Sequence, residues 1–193
     1  MPEGNLAATL LMRPSGVPGW AALRSFLAAN ALYETLSLHV DRTRLSLKWP
    51  NDVLLDGGKV AGILLESSGR NGQVDWLSIG IGVNVAAAPG ALRDAPFPPV
   101  SVAEQCGTTP EPEAFLRELA GHYATEESIL EQLGFAPIRE KWLRSAARLG
   151  EVISADTGSE VVTGRFETVD EGGHLVLETA HGRRLIAAAD VFF

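Results

Sequence analysis

The sequence predicts an α+β protein, a mixed sheet with helices, followed by a small SH3-like β-barrel. Three observations carry that expectation. Apolar runs of period two, flanked by Gly, Asn and Asp turns, recur between residues 45 and 85. Helical spacing appears before them, near residues 17–36, and again between residues 109 and 148. From Gly150 onward only short alternating strands remain.

Taken in order, Leu6–Met12 follows Gly4-Asn5, is apolar with small residues, and reads as a largely buried strand ended by Arg13-Pro14-Ser15-Gly16. Ser15 or Gly16 caps a helix with Pro18 in its first turn and Trp20, Leu23, Phe26, Leu27, Ala31 and Leu36 on one face. Residues 45–49 alternate, break at Pro50-Asn51-Asp52, resume at 53–55, turn at Asp56-Gly57-Gly58 and continue over 60–66. A second turn at 68–72 leads into a strand over 74–85, where Gly80, Gly82 and Asn84 mark close backbone approach. After a proline-rich loop at 88–99, Ser101 and Glu104 have capping-box spacing and predict a short helix. Thr109-Pro110 opens a longer helix with Phe115, Leu116, Leu119, Tyr123, Ile129, Leu130 and Leu133 as its stripe and Gly134 as its end. A further helix from Pro137 to about Arg148 turns Trp142 and Leu143 inward. Strands follow at 151–155, 161–168, 175–179 and 184–188. This divides the chain into a core unit, 1–148, and a unit at 149–193 too small for an independent core, which should pack on the first.

Composition narrows the function. The chain has 193 residues, 46% of them hydrophobic, and a net charge of −8 from 16 basic and 24 acidic side chains. That is a globular balance, and it argues against nucleic acid or an acidic membrane as a partner. Cys106 is the only cysteine, so no disulfide framework or thiolate zinc site is available. No apolar run is long enough to span a bilayer and Met1-Pro2-Glu3 offers no basic leader, so a cytoplasmic location is expected. His39, His122, His174 and His181 lack metal-ligand spacing, so no protein-held metal is expected. Arg183-Arg184 is a small basic spot, read as solvated, with contact to an acidic partner as the alternative.

The densest functional cluster is Lys48-Trp49-Pro50-Asn51-Asp52 with Lys59-Val60-Ala61-Gly62-Ile63-Leu64 on the next strand. Joining a carboxylate to a nucleoside triphosphate requires fixed cations between two anions and donors for the phosphorane oxygens, which lysines and an Asn amide supply. Gly62 removes a side chain where a flat ligand can lie. A solvated Asx turn with exposed lysines is the plainer alternative from composition alone.

These two strings, together with Gly57-Gly58 before Lys59 and Leu65-Glu66 after Leu64, resemble the signature of the bacterial biotin protein ligases. The resemblance extends to Gly4-Asn5-Leu6, to Ile79-Gly80-Ile81-Gly82-Val83-Asn84-Val85 and to the C-terminal barrel. It implies a class II synthetase-like biotin/lipoate ligase core. It also implies a two-step reaction with ATP and Mg2+ as co-substrate and biotin as substrate. Biotin's carboxylate attacks the α-phosphate to form biotinyl-adenylate, and a lysine of a biotin carboxyl carrier protein then displaces AMP. On that resemblance Lys59 neutralises charge where carboxylate meets phosphate, Lys48 adds charge, and Asn51 binds phosphate. Asp52 orients or deprotonates the acceptor lysine. Gly62, Ile63 and Leu64 form the edge for the biotin rings, and Gly82 and Asn84 border the adenine.

A Gly-Arg-Gly-Arg loop and a Thr-Asn-Gln segment, which the family places upstream of Gly4-Asn5-Leu6, do not occur in these residues. The chain is therefore expected to lack the N-terminal part of the catalytic domain and to transfer biotin slowly alone. A non-catalytic fragment retaining only a partner surface, or a lipoate-ligase-like enzyme, remain as alternative readings, and a homodimer stays open.

Overall fold

The computed structural model describes residues 3–90 and 97–193. Met1-Pro2, part of the leader argument, and 91–96 of the expected proline-rich loop lie outside the described residues. The chain runs β1 (Leu6–Met12), α1 (Pro18–Ala22), α2 (Arg24–Leu36), β2 (Leu45–Lys48), β3 (Asp52–Leu55), β4 (Gly58–Arg70) and β5 (Gln73–Val83). Then come α3 (Val102–Cys106), α4 (Pro112–Leu133) and α5 (Phe135–Arg144). A second sheet is built from β6 (Val152–Asp156), β7 (Val161–Val169), β8 (Leu175–Thr179), β9 (Gly182–Ile186) and β10 (Asp190–Phe192).

The first sheet has strand order β1-β5-β4-β3-β2, with antiparallel ladders. Both hairpin turns, Asp56-Gly57 and Asn71-Gly72, hold their two central residues at positive φ, the twist-matched geometry for two-residue loops. Alternation sends Leu77, Ile79, Ile81 and Val83 of β5 and Ala61 and Ile63 of β4 into the core under α2, and leaves Gly62, Leu64, Gly80 and Gly82 on the other face. One face therefore packs and the other is free for ligand.

Several boundaries differ from the pattern reading. β1 is an edge strand with Leu6 as its only fully buried side chain and Leu11 70% exposed, because it pairs only with β5 and little covers it. The first helix breaks at Leu23, leaving Trp20 partly exposed. α4 starts at Pro112 with the Glu111 side chain capping Ala114 N–H, two residues later than Thr109-Pro110 suggests. Its buried stripe is Phe115, Leu119, Tyr123, Glu126 and Leu130, while Leu116 and Leu133 are exposed. α5 starts at Phe135, before Pro137, and stops at Arg144. Ser101 is the N-cap of the expected short helix, its Oγ accepting from Glu104 N–H at 3.2 Å, the Ser101 half of the expected capping box.

The second sheet has order β10-β6-β7-β8-β9, all antiparallel, with β9 and β10 as its edges. Alternation alone did not foresee the three-residue β10, and it placed β9 two residues too late. The sheet shares one core with the rest, for Phe166 packs on Trp142, which packs on Phe26.

Candidate active site

Paired residues on neighbouring strands share a face, and the register sets one row across the whole first sheet. Lys48 pairs with Asp52, Asp52 with Gly62, Gly62 with Gly82, and Gly82 with Ala7. Two charged groups thus lead directly into a strip with no bulky side chain. In the next ladder Val53 opposes Ala61 but Leu54 opposes Lys59, so Val60 is an extra residue on β4. That bulge reverses the alternation and aims Lys59 onto the face of Asp52 and Gly62. A Cβ placed on Gly62 would lie 3.2 Å from Lys59 Nζ, which shows how closely the side chain crosses the glycine.

The row opens into a cavity of about 700 Å³ lined by Lys48, Asp52, Lys59, Gly62, Gly82 and Asn84, and also by Phe97, Pro99, Asp190 and Val191. A shallower depression of about 480 Å³ continues over Gly62, Leu64, Gly80 and Thr9. Asp52 and Lys48 are each only 7% exposed, whereas the Lys59 side chain is 43% exposed. Lys48 Nζ donates to Asp52 Oδ2 at 3.3 Å. Lys59 Nζ comes within 2.6 Å of Asp52 Oδ1 but out of hydrogen-bond alignment, so this buried oxygen has ionic compensation and no aligned donor.

The amides have narrower freedom than their residue type suggests. Asn51 donates its side-chain N–H to Ile63 O at 2.7 Å and accepts Ile63 N–H on its backbone carbonyl at 2.9 Å. It latches the β2–β3 connection to β4, and it occupies both backbone groups of Ile63, whose side chain is in the core. Asn84 Nδ2 donates to Lys59 O at 3.4 Å and Val100 O at 3.0 Å. Its Oδ1 is left to meet a ligand's donor.

Residues 97–100 form the wall opposite the glycines. Lys59 N–H donates to Pro98 O and Val100 N–H to Lys59 O, at 2.9 and 3.0 Å. Gly58 is required here, since a Cβ would sit 2.4 Å from Val100 Cγ1 and 2.9 Å from Pro98 O. Phe97 then lies 4.9 Å from Lys48 Nζ and edge-on to Phe193, with centroids 4.8 Å apart. Sequence reasoning missed Phe97 and Asp190. An aromatic inside a proline-rich loop was a faint signal for the first, and nothing local marked the second. Arg183 and Arg184 pair with Glu167 and Glu160, which removes most of their free charge. Among the described residues there is no group of three His, Cys, Asp or Glu side chains placed to hold a metal, and no helix is long and apolar enough to cross a membrane.

The comparisons with known proteins agree with this geometry. Residues 1–84 match the model of the biotin/lipoate A/B protein ligase family, and residues 149–193 match the biotin protein ligase C-terminal domain. The chain is 52% identical to the biotin-[acetyl-CoA-carboxylase] ligase of Paracoccus denitrificans, over 100% of this chain and 82% of that protein. The chain belongs to the biotin protein ligase family. The bifunctional ligase/repressor BirA of Bacillus subtilis is 27% identical over 98% of this chain, which spans only 58% of that protein. The biotin protein ligase of Aquifex aeolicus, solved in complex with biotin and ATP, superposes with a TM-score of 0.78 at 23% identity, covering 98% of this chain and 78% of that one. That likeness shows the shared fold.

Proposed function

We propose that this family member is an ATP-dependent ligase that activates biotin as biotinyl-5′-adenylate and transfers it to a lysine of a biotin carboxyl carrier protein, as its Paracoccus relative's name states for acetyl-CoA carboxylase. The observation that carries the reading is the register row, in which two lysines and a buried carboxylate, one of whose oxygens has no aligned donor, open onto a glycine strip. In the first step a biotin carboxylate oxygen bonds to the α-phosphorus and pyrophosphate leaves. Lys59 and Lys48 offset the charge of two anions brought together at the cavity. Asn51 supports this step chiefly by fixing the loop, with its second amide hydrogen directed to phosphate. The biotin rings lie along Gly62 and Leu64, where Ile63 contributes its place in the strand. Gly82 and Asn84 border the adenine, whose exocyclic amine suits Asn84 Oδ1.

In the second step the acceptor amine attacks the acyl carbon and AMP leaves. Asp52 Oδ1 receives an N–H of that amine and orients or deprotonates it. Mg2+ would come with the triphosphate, since among the described residues the carboxylates lining the cavity are Asp52, held between lysines, and Asp190. The reading further includes a cytoplasmic location, the two units 1–148 and 149–193, no nucleic acid partner, and no protein-held metal. Biotin-dependent exchange of labelled pyrophosphate into ATP tests it, with lipoate as the control acid. Exchange with biotin and not lipoate is expected; a folded chain that exchanges with neither is a non-catalytic relative.

A further inference from the structure

Trp49 lies within the Lys48–Asp52 string yet does not line the cavity, and it is almost wholly buried. Its indole N–H donates to Gly173 O, 3.0 Å away, in the turn between β7 and β8 of the second sheet. That turn is itself fixed. Asp170 Oδ1 accepts the backbone N–H groups of Gly172 and His174, both at 2.8 Å, and Oδ2 lies 3.0 Å from His174 Nδ1. Gly173 has φ +83°, and a Cβ there would come within 2.9 Å of Phe26 and 3.2 Å of Leu23, so the turn is wedged against the α1–α2 junction. The neighbouring residue is tied from the other side, where Ser25 Oγ donates to Pro50 O at 3.1 Å. Upstream, Leu47 exchanges bonds with Ser145 and Ala147, at 2.8 Å each, in the segment leading to the second sheet.

We propose that the Asp170–His174 turn of the second sheet positions the reacting side chains of the first. Trp49 is the spacer that sets Lys48 and Asp52, and Trp49 and Asp170 are positioning residues. This inference rests on the ligase reading for its kinetic consequence but not for its structural one. The turn bonds to Trp49, which does not line the cavity, and acts by fixing the backbone between two residues that do. Displacing that backbone by a fraction of an ångström moves Asp52 relative to Lys59 and leaves the ligand-facing strip of Gly62, Gly80 and Gly82 in place. The expected signature is therefore a loss of kcat with KM for biotin retained.

The test uses Trp49→Phe, Asp170→Ala and Asp170→Asn in the 193-residue chain. Asn keeps an oxygen able to accept both backbone N–H groups, so it should rescue what Ala loses. Hydrogen exchange read by mass spectrometry gives an arm independent of activity. Peptides containing residues 48–52 and Ile63 should exchange about three- to tenfold faster in Trp49→Phe and Asp170→Ala, with α4 unchanged. Pyrophosphate exchange should fall roughly ten- to a hundredfold in kcat for both, with KM for biotin within about twofold. Unaltered hydrogen exchange at 48–52, a proportional loss across the whole chain, or an Asn variant no better than Ala overturns the proposal. Faster local exchange in a chain whose wild type shows no pyrophosphate exchange leaves the positioning role standing and overturns the ligase reading.

Discussion

Among the described residues, two clusters of charged side chains are wholly or partly buried, and they differ in what surrounds them. Between the helices, Arg24 of α2 pairs with Glu127 of α4, and Lys141 of α5 pairs with Glu126 of α4 and Glu34 of α2. Arg42 closes that group on Glu34, and Asn30 donates to Glu126 at 3.2 Å and to Ile138 O at 3.1 Å. Three cations meet three carboxylates there. Tyr123 donates to Glu127 at 3.1 Å, and burial, then the Glu127 charge, push its phenol far above the ordinary range so that it stays a donor. In the sheet, two lysines flank one carboxylate, the sum is positive, one carboxylate oxygen has no aligned donor, and a cavity adjoins. A closed cluster fixes helix packing, whereas an open one of unbalanced charge is prepared for an anion.

The largest expected effect breaks the closed cluster. Arg24 is 4% exposed, so Arg24→Ala leaves Glu127 without its cation and should lower stability by about 3–5 kcal/mol in urea denaturation. A loss below about 1 kcal/mol would mean the pair is no more than a surface contact. Next, Lys59→Ala should reduce biotin-dependent pyrophosphate exchange by ~10²–10³ with a much smaller loss of stability than Arg24→Ala, because Lys48 still pairs with Asp52. Near-full exchange would remove Lys59 from its role. Gly62→Val places a branched side chain against Lys59 and on the strip, and should weaken biotin binding at least tenfold by calorimetry, on the order expected when steric fit is lost in a packed site. Unchanged affinity in a folded variant would put the ring-binding edge elsewhere.

The smallest effect is on acid stability. Burial raises the Glu34 carboxyl pKa, but Lys141 and Arg42 together outweigh it, and the folded value lies below the ordinary 4.5. Its contribution is therefore complete above pH 4.5 and lost as pH falls through the lower folded value. Melts from pH 7 downward should show a shallower acid decline in Glu34→Gln than in the wild type. Identical declines would remove Glu34 from the acid transition.

The open cluster was legible in the sequence because its parts are local. Lys48, Asn51, Asp52, Lys59 and Gly62 fall on or between the consecutive strands β2, β3 and β4, so short-range spacing groups them, although only the bulge at Val60 brings Lys59 onto their face. The closed cluster was not legible, since Glu126 sits in an apolar stripe only because Lys141 and Asn30 arrive from other helices. The same limit hid Asp190 and Phe97, which reach the cavity through the packing of the second sheet and the loop against β4. It also misjudged β1, whose apolar composition says nothing about whether a strand has neighbours on both sides.

The measurement closest to the central claim is transfer itself. The purified chain is incubated with biotin, Mg-ATP and a biotin carboxyl carrier domain, and the carrier's intact mass is followed for wild type, Lys59→Ala and Arg24→Ala, the last at a temperature where it is folded. The account predicts one biotinyl group on the carrier lysine with wild type and with folded Arg24→Ala, and a severe loss with Lys59→Ala. Equal transfer by wild type and Lys59→Ala, or no transfer by a wild type that is folded, would contradict it.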